Sequence, residues 1–357
     1  MKVSFRWYGE KYDTVPLEKI KQIPGVKGVI TTLHGKPQGE AWTFDEVKKM
    51  KKDIESQGMN VDGIESVHVI DSIKVADSKR DYYIKNYIKS LESLGKNDIH
   101  LVCYSFMPLF GWTRTQLQKP LADGSTTMAY DFDTIKNMQP AEMFNMMSSQ
   151  SKGFRMPDWE PERLGNFTTL IKQYSGLKAN QLFDNFVYFL KKIMPVCDKY
   201  NIDMALHPDD PAWGMFNIPR IVKNKDDIYK ILSAIDNPHN GLTLCVGSLE
   251  SNIKNNIDDI IDQFHDRIKY VHLRNLKHTG EKSFYETSCL SEDGDIDIYN
   301  VLKKLIDYGF NGVIREDHGR TIWNEVAMPG YGLYDRALGT TYIEGIIEAI
   351  KKQNLSS

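Results

Sequence analysis

Cysteine is scarce: four residues, at 103, 197, 245 and 289, in a chain of 357. So few thiols in so long a chain cannot make a disulfide framework. No two of them form a CxxC pair, which excludes a compact zinc knuckle or a dithiol redox site. Positive charge is not in excess either. Lys and Arg number 45 against 48 Asp and Glu, a formal net charge of −3. Nothing in that balance draws a phosphate backbone, so nucleic acid is not an expected partner. No apolar run approaches the ~18 residues of a membrane-crossing helix, so no membrane span is expected. The first ten residues are broken by charge at once and lack the apolar stretch of a secretion leader. Free thiols and no leader make the cytoplasm the expected compartment. HExxH, GxSxG and the glycine-rich phosphate loops are missing too, which removes the compact signatures of zincins, serine hydrolases and nucleotide-binding sheets.

What is present has ordinary globular proportions, 41% hydrophobic and 26% charged residues. Disorder, collagen and coiled coil are excluded. Short β-branched or aromatic runs recur at 3–7, 28–32, 62–67, 99–104, 203–207, 242–246, 268–273 and 312–316. Helix-period segments alternate with them, at 16–23, 44–57, 80–94, 182–200 and 340–352 among others. The alternation predicts a parallel sheet closed into a (β/α)8 TIM barrel, one domain over 1–357. An open doubly wound sheet gives the same alternation, but no phosphate-loop glycine pattern follows any run. One stretch breaks the rhythm. Residues 110–181, after the fourth run, are too many for a plain loop and hold an expected helix over 132–147. As a βα connection this insertion leaves from the catalytic face. A lid over the mouth and a contact between subunits are both open readings of it.

The chemistry-bearing residues are dispersed. Four metal-ligand types stand at the carboxyl ends of the last four runs: His207, Cys245, His272 and Asp317. Period-two alternation puts them in one phase. Met204 and Leu206 face helices, so Ala205 and His207 face the axis. Thr243 and Cys245, Tyr270 and His272, and Val313, Arg315 and Asp317 follow the same rule. Glu316 then points outward, and Glu250 is a rival carboxylate. Each residue alone has a plainer use: a hydrogen-bonding His, a core Cys, a capping Asp. Four in phase at adjacent strand ends point to a divalent metal, and a thiolate with two imidazoles suits zinc or ferrous iron. Arg315, below Asp317 on the same face, is expected to orient that carboxylate or to hold an anion. His318 follows Asp317, and Tyr331 stands between two glycines. Both are candidates for proton transfer. His34 and His68 follow the second and third runs and are pocket candidates.

Longer motifs surround these residues. They include Phe5-Arg6-Trp7-Tyr8-Gly9, Cys245-Val246-Gly247-Ser248, Val271-His272-Leu273-Arg274-Asn275, Arg315-Glu316-Asp317-His318-Gly319-Arg320, and Pro329-Gly330-Tyr331-Gly332-Leu333-Tyr334-Asp335-Arg336. In these the chain resembles the mannonate dehydratases of the xylose isomerase-like barrel group over nearly its whole length. The resemblance implies loss of water from D-mannonate to give 2-dehydro-3-deoxy-D-gluconate in hexuronate (glucuronate) catabolism. It implies manganese, iron or another divalent ion on His207, Cys245, His272 and Asp317, with His318 and Tyr331 at the chemistry. Arg315, Arg274 and His34 are expected at the substrate, and a second copy of the chain is the expected partner, as a homodimer. The rival reading is a metal-dependent sugar isomerase or epimerase on the same barrel.

Overall fold

The computed structural model describes residues 1–159, 165 and 167–356. Residues 160–164 and 166, inside the 110–181 insertion, lie outside the described residues, as does 357.

Every one of the eight runs becomes a barrel strand, with ends within two residues of the sequence-based bounds. The first is split at Ser4 into β1 (Lys2–Val3) and β2 (Phe5–Arg6). There follow β3 (Gly28–Thr31), β4 (Asn60–Glu65) and β5 (Leu101–Tyr104). After the insertion come β8 (Asp203–Leu206), β9 (Asn240–Cys245), β10 (Ile268–Leu273) and β13 (Val313–Glu316). All pair in parallel, in the order β1-β13-β10-β9-β8-β5-β4-β3-β2. The split strand closes the cylinder. β1 pairs with β13 on one side, and β2 pairs with β3 on the other. Ser4 spans the join, its amide donating to the Ile314 carbonyl at 2.8 Å and its hydroxyl to the Gly28 carbonyl at 3.0 Å.

The predicted strand phase holds. Ile30, Leu101, Cys103, Ala205, Tyr270 and Val313 form a separate buried cluster, the plug of the barrel interior. Met204, Leu206, Leu242, Leu244, Val271 and Ile314 belong to the larger core between sheet and helices. Local chemistry fixes the helix ends. Thr43 and Glu46 form a reciprocal capping box at the start of Phe44–Glu55. Asn201, at φ 53°, ends the long helix Ala179–Tyr200 just ahead of β8. Phe186 and Phe189 of that helix are fully buried, with Phe186 edge-on to Phe106 at 5.0 Å between ring centres. Burial of each such ring contributes roughly 1.5–3 kcal/mol. They anchor the chain where it leaves β5 for the insertion.

Two departures from the sequence-based expectation concern the connections. The single helix expected over 132–147 is two, Phe132–Ile135 and Pro140–Gln150. Pro140 lacks the amide an interior position needs, so it opens a new helix instead, behind a Gln139–Glu142 capping pair. The second departure is a small antiparallel sheet that no run announced. β6 (Gln116–Pro120) and β7 (Thr126–Tyr130) form a hairpin within the insertion, turning at Asp123-Gly124 where Gly124 has φ 85°. β11 (Leu276–Gly280) and β12 (Ser283–Glu286) form another just after β10. The hairpins join edge to edge, Phe284 opposite Tyr130, in the order β11-β12-β7-β6. Both leave from carboxyl ends of barrel strands, so this sheet stands at the catalytic mouth. Among the described residues no helix is long and apolar enough to cross a membrane.

Candidate active site

Four strand ends bring the expected ligands together. His207 follows β8 and keeps its amide paired to the Tyr104 carbonyl at 2.8 Å. Its Nδ1 lies 2.7 Å from the Pro208 carbonyl. A carbonyl only accepts, so Nδ1 carries the proton and Nε2 is turned to the site. Cys245 ends β9, with Sγ 2.9 Å from the Ser248 hydroxyl and 3.5 Å from Asp317 Oδ2. Donor atoms of His207, Cys245 and His272 lie within 4.8 Å of one another. Asp317 Oδ1 is 3.8 Å from His272 Nδ1. All but His207 are fully buried, and His207 is half-buried.

Two features fit a bound cation. Both ring nitrogens of His272 are buried with no hydrogen-bond partner, which costs free energy unless something takes their lone pair. Glu65 Oε2 is the carboxylate oxygen beside Nε2, at 3.3 Å. The charges are also matched. Burial opposes a thiolate at Cys245, and so does Asp317, yet His207 and His272 hold its pKa down to about 5. Burial opposes a cation at His207, yet Cys245 and Asp317 raise its pKa to about 9. Without metal the pair is thiolate and imidazolium, and a cation held by these residues would take the place of the imidazolium proton. His272 also groups with Glu65 and Cys103 as a second set of donors on the same side of the barrel.

The two expected proton-transfer residues meet. His318 Nε2 lies 2.9 Å from the Tyr331 hydroxyl and 3.6 Å from Asp317 Oδ1. Burial, Tyr8 and Asp317 push the Tyr331 phenol well above its usual range, so it keeps its proton. Tyr8 stands edge-on to Tyr331 at 5.1 Å between ring centres. His207, Asp317, His318 and Tyr331 all open on one cleft of about 880 Å³. His34 and His68 line it as well. Burial, helped by Arg6, holds the His34 pKa well below its usual range, so His34 faces the cleft neutral.

Arg315 and Arg274 share the inward phase but do not line the cleft. Arg315 binds Glu65 at 2.8 Å and Asp317 at 3.0 Å. Arg274 binds Asp317 at 3.1 Å, Asp210 at 2.9 Å and Glu286 at 2.6 Å. A fully buried guanidinium must be matched by carboxylates, so both lie behind Asp317 and hold it in place. Burial works against the Asp317 carboxylate, but His318, Arg315, His272 and Arg274 keep it charged, well below the usual range. Glu316 points away from the axis as expected, toward Gly339 on the last helix. Glu250 lies 3.9 Å from His278 Nε2. Burial and Asp295 raise its pKa to about 7.

Sequence reasoning missed Glu65, Asp210, Glu286, Arg114, Arg6 and Tyr8. Asp210, Glu286 and Arg114 carry charge into a buried site from three different segments, and no local spacing marks them, whereas Glu65 ends β4 and had the signal of a strand end. Tyr8 and Arg6 had a signal, since they lie at the carboxyl end of the first barrel strand, as His34 follows the second.

Fold and site together define a class: an enzyme on a (β/α)8 barrel, its reactive groups gathered at the carboxyl ends of the strands. Comparison narrows the class. The whole chain, residues 1–357, matches the family model for D-mannonate dehydratase (UxuA). It is 52% identical to the mannonate dehydratase of Brachyspira hyodysenteriae over 352 residues, 99% of each chain. It is 49% identical to that of Thermotoga maritima, over 99% of this chain and 98% of the other. The crystal structure of mannonate dehydratase from Streptococcus suis serotype 2 superposes with a TM-score of 0.90 at 39% identity, covering 99% of this chain and 96% of that one. A D-tagatose 3-epimerase-like protein shares the fold at 14% identity and a TM-score of 0.57. The chain belongs to the D-mannonate dehydratase family. It is a hydro-lyase, and the isomerase reading is set aside.

Proposed function

We propose that this enzyme dehydrates D-mannonate to 2-dehydro-3-deoxy-D-gluconate with one divalent ion, manganese or iron, held by His207, Cys245, His272 and Asp317. The observation that carries the reading is the cluster of His207, Cys245 and His272, with Asp317 beside Cys245, next to the cleft on which His207, Asp317, His318 and Tyr331 open. When bound, the ion supplies Lewis acidity for the charge that builds on the sugar acid's carboxylate. The chain's own groups handle the protons. One takes the proton from C2, the other protonates the C3 hydroxyl, the C3–O bond breaks, and water leaves. The enol that results gains a proton at C3, loses the proton of its C2 hydroxyl, and becomes the 2-keto acid. Tyr331 holds its proton and suits the donor's part, with His318 as base. The two groups are hydrogen-bonded to each other, so they address the substrate from one side, an arrangement for syn loss. His34, neutral and cleft-facing, is assigned to substrate hydroxyls. Arg274 and Arg315 are assigned to positioning Asp317 and Glu65.

The chain is read as one barrel domain, with 110–181 covering the mouth. Trp112, Arg155 and Asp158 of that segment line the cleft. A cytoplasmic homodimer working in hexuronate catabolism completes the proposal. Purified protein with Mn²⁺ or Fe²⁺ and D-mannonate is expected to yield a 2-keto-3-deoxy acid. No such product with either ion, from folded and metal-loaded protein, would refute the reading. For the cover, limited proteolysis within 110–181 is expected to slow when metal and substrate are present. Equal cutting with and without them, at one oligomeric state, would favour a purely structural segment.

A further inference from the structure

Glu286 stands at the end of β12, on the small sheet and outside the barrel. It is fully buried. Its carboxylate faces His318, with Oε1 3.1 Å and Oε2 3.2 Å from Nδ1. The backbone is pinned as well, since the Thr127 hydroxyl of β7 donates to the Glu286 carbonyl at 2.8 Å. Three further donors converge on Oε1 alone: Arg114 Nε at 3.0 Å, Arg114 Nη2 at 2.6 Å and Arg274 Nη1 at 2.6 Å. The same Arg274 donates through Nε to Asp317 Oδ2 at 3.1 Å. One guanidinium therefore ties the carboxylate beside His318 to the carboxylate of the ligand cluster.

We propose that Glu286 is the positioning residue of the reaction. It accepts the Nδ1–H of His318, and so fixes Nε2 as the nitrogen that meets the Tyr331 hydroxyl and the cleft. The proposal rests on the assignment of His318 to the chemistry. A carboxylate has no proton to give, so Nδ1 must be the donor in this pair. In the neutral imidazole, the form that acts as base, a proton on Nδ1 leaves Nε2 free to accept, and the Tyr331 O–H donates to it over 2.9 Å. The direction of the chain Glu286–His318–Tyr331 is thus set from the small sheet. That sheet is then part of the catalytic apparatus and not only a wall of the mouth. Removal of a carboxylate that orients a catalytic imidazole, in the well-studied hydrolytic triads, costs about 10⁴-fold because the wrong tautomer forms.

Glu286→Gln tests this with little change of shape. The guanidinium groups only donate, so the amide oxygen must stay at the Oε1 place. The amide NH2 then takes the Oε2 place, 3.2 Å from Nδ1 in the native arrangement, and donates to it. Nδ1 then faces an N–H donor at the Oε2 place and keeps only a neutral amide oxygen at the Oε1 place, 3.1 Å away, so the hold on a proton at Nδ1 is weakened and the imidazole proton shifts toward Nε2, where it opposes the Tyr331 O–H. The expected result is a kcat lowered on the order of 10²–10⁴-fold, with KM and metal content near wild type. In a His318→Asn background the same change is expected to cost almost nothing more. Nitrogen-15 spectra of histidine-labelled, zinc-loaded protein, with His318 assigned by its loss in His318→Asn, are expected to show Nδ1 protonated in the wild type and unprotonated in Glu286→Gln. An unprotonated Nδ1 in the wild type overturns the proposal without any variant. So does a Glu286→Gln enzyme with normal kcat while His318→Asn is inactive, or one that only loses thermal stability. A His318→Asn enzyme with normal turnover overturns the underlying assignment of His318, and the proposal with it.

Discussion

Cys245→Ser is expected to weaken divalent-metal binding by at least about 100-fold and to change which ion is preferred. Loss of an outer-shell partner alone typically costs about 10–100-fold, and this change removes a charged donor itself. The serine hydroxyl stays neutral at any working pH, whereas Cys245 is a thiolate above about pH 5. The remaining imidazoles and carboxylate form a harder set, so zinc should lose more than manganese. A pH dependence accompanies the loss. His207 keeps its proton up to about pH 9 in the absence of metal, and the thiolate of Cys245 is the largest cause of that rise. A metal must displace this proton. Wild-type affinity is therefore expected to climb about tenfold per pH unit from about pH 5 toward pH 9, and to fall more steeply below pH 5, where Cys245 is protonated too. In Cys245→Ser the climb near neutrality should flatten, because His207 loses its main counter-charge. Metal titrations of both proteins at several pH values decide it. Unchanged affinity in the variant would show that the thiolate is not a ligand.

His318→Asn and Tyr331→Phe are each expected to lower kcat about 10²–10⁴-fold with metal content near wild type. Neither change should unfold the site. Glu286 keeps Arg114 and Arg274 as partners when the imidazole is gone. Phenylalanine at 331 retains the edge-on contact with Tyr8 and loses only the hydroxyl. Because the two side chains are bonded at 2.9 Å, they form one unit. The double variant should then be little slower than the slower single one, as for residues that act together. Steady-state kinetics with metal analysis checks this. Near-normal kcat in both single variants would remove the pair from the mechanism. Loss of metal in His318→Asn would make His318 a ligand instead.

Much of the barrel could be read from local pattern, and the reason is short-range. A parallel strand buried on both faces must be a short apolar run, and the helix between two such runs must show its own period. The same logic placed His207, Cys245, His272 and Asp317, because alternation along a strand fixes the face and the strand end fixes the depth. Ala205, Tyr270 and Val313 in the barrel interior bear out that phase. The small sheet was different. Its strands are short and half polar, and each hairpin finds its partner in a segment more than 140 residues away, as in Tyr285 opposite Ala129. Asp123-Gly124 was the one local mark of it.

By itself the sequence determined the eight strands and the inward phase of His207, Cys245, His272 and Asp317, since each depends on spacing within a few residues. Only the tertiary structure decided what balances the charge behind them. Arg114, Asp210, Arg274 and Glu286 meet across separations of 12 to 172 residues. Their carboxylates and guanidiniums are stable there only as a mutually paired, desolvated group, and such pairing leaves no trace in the order of residues along the chain.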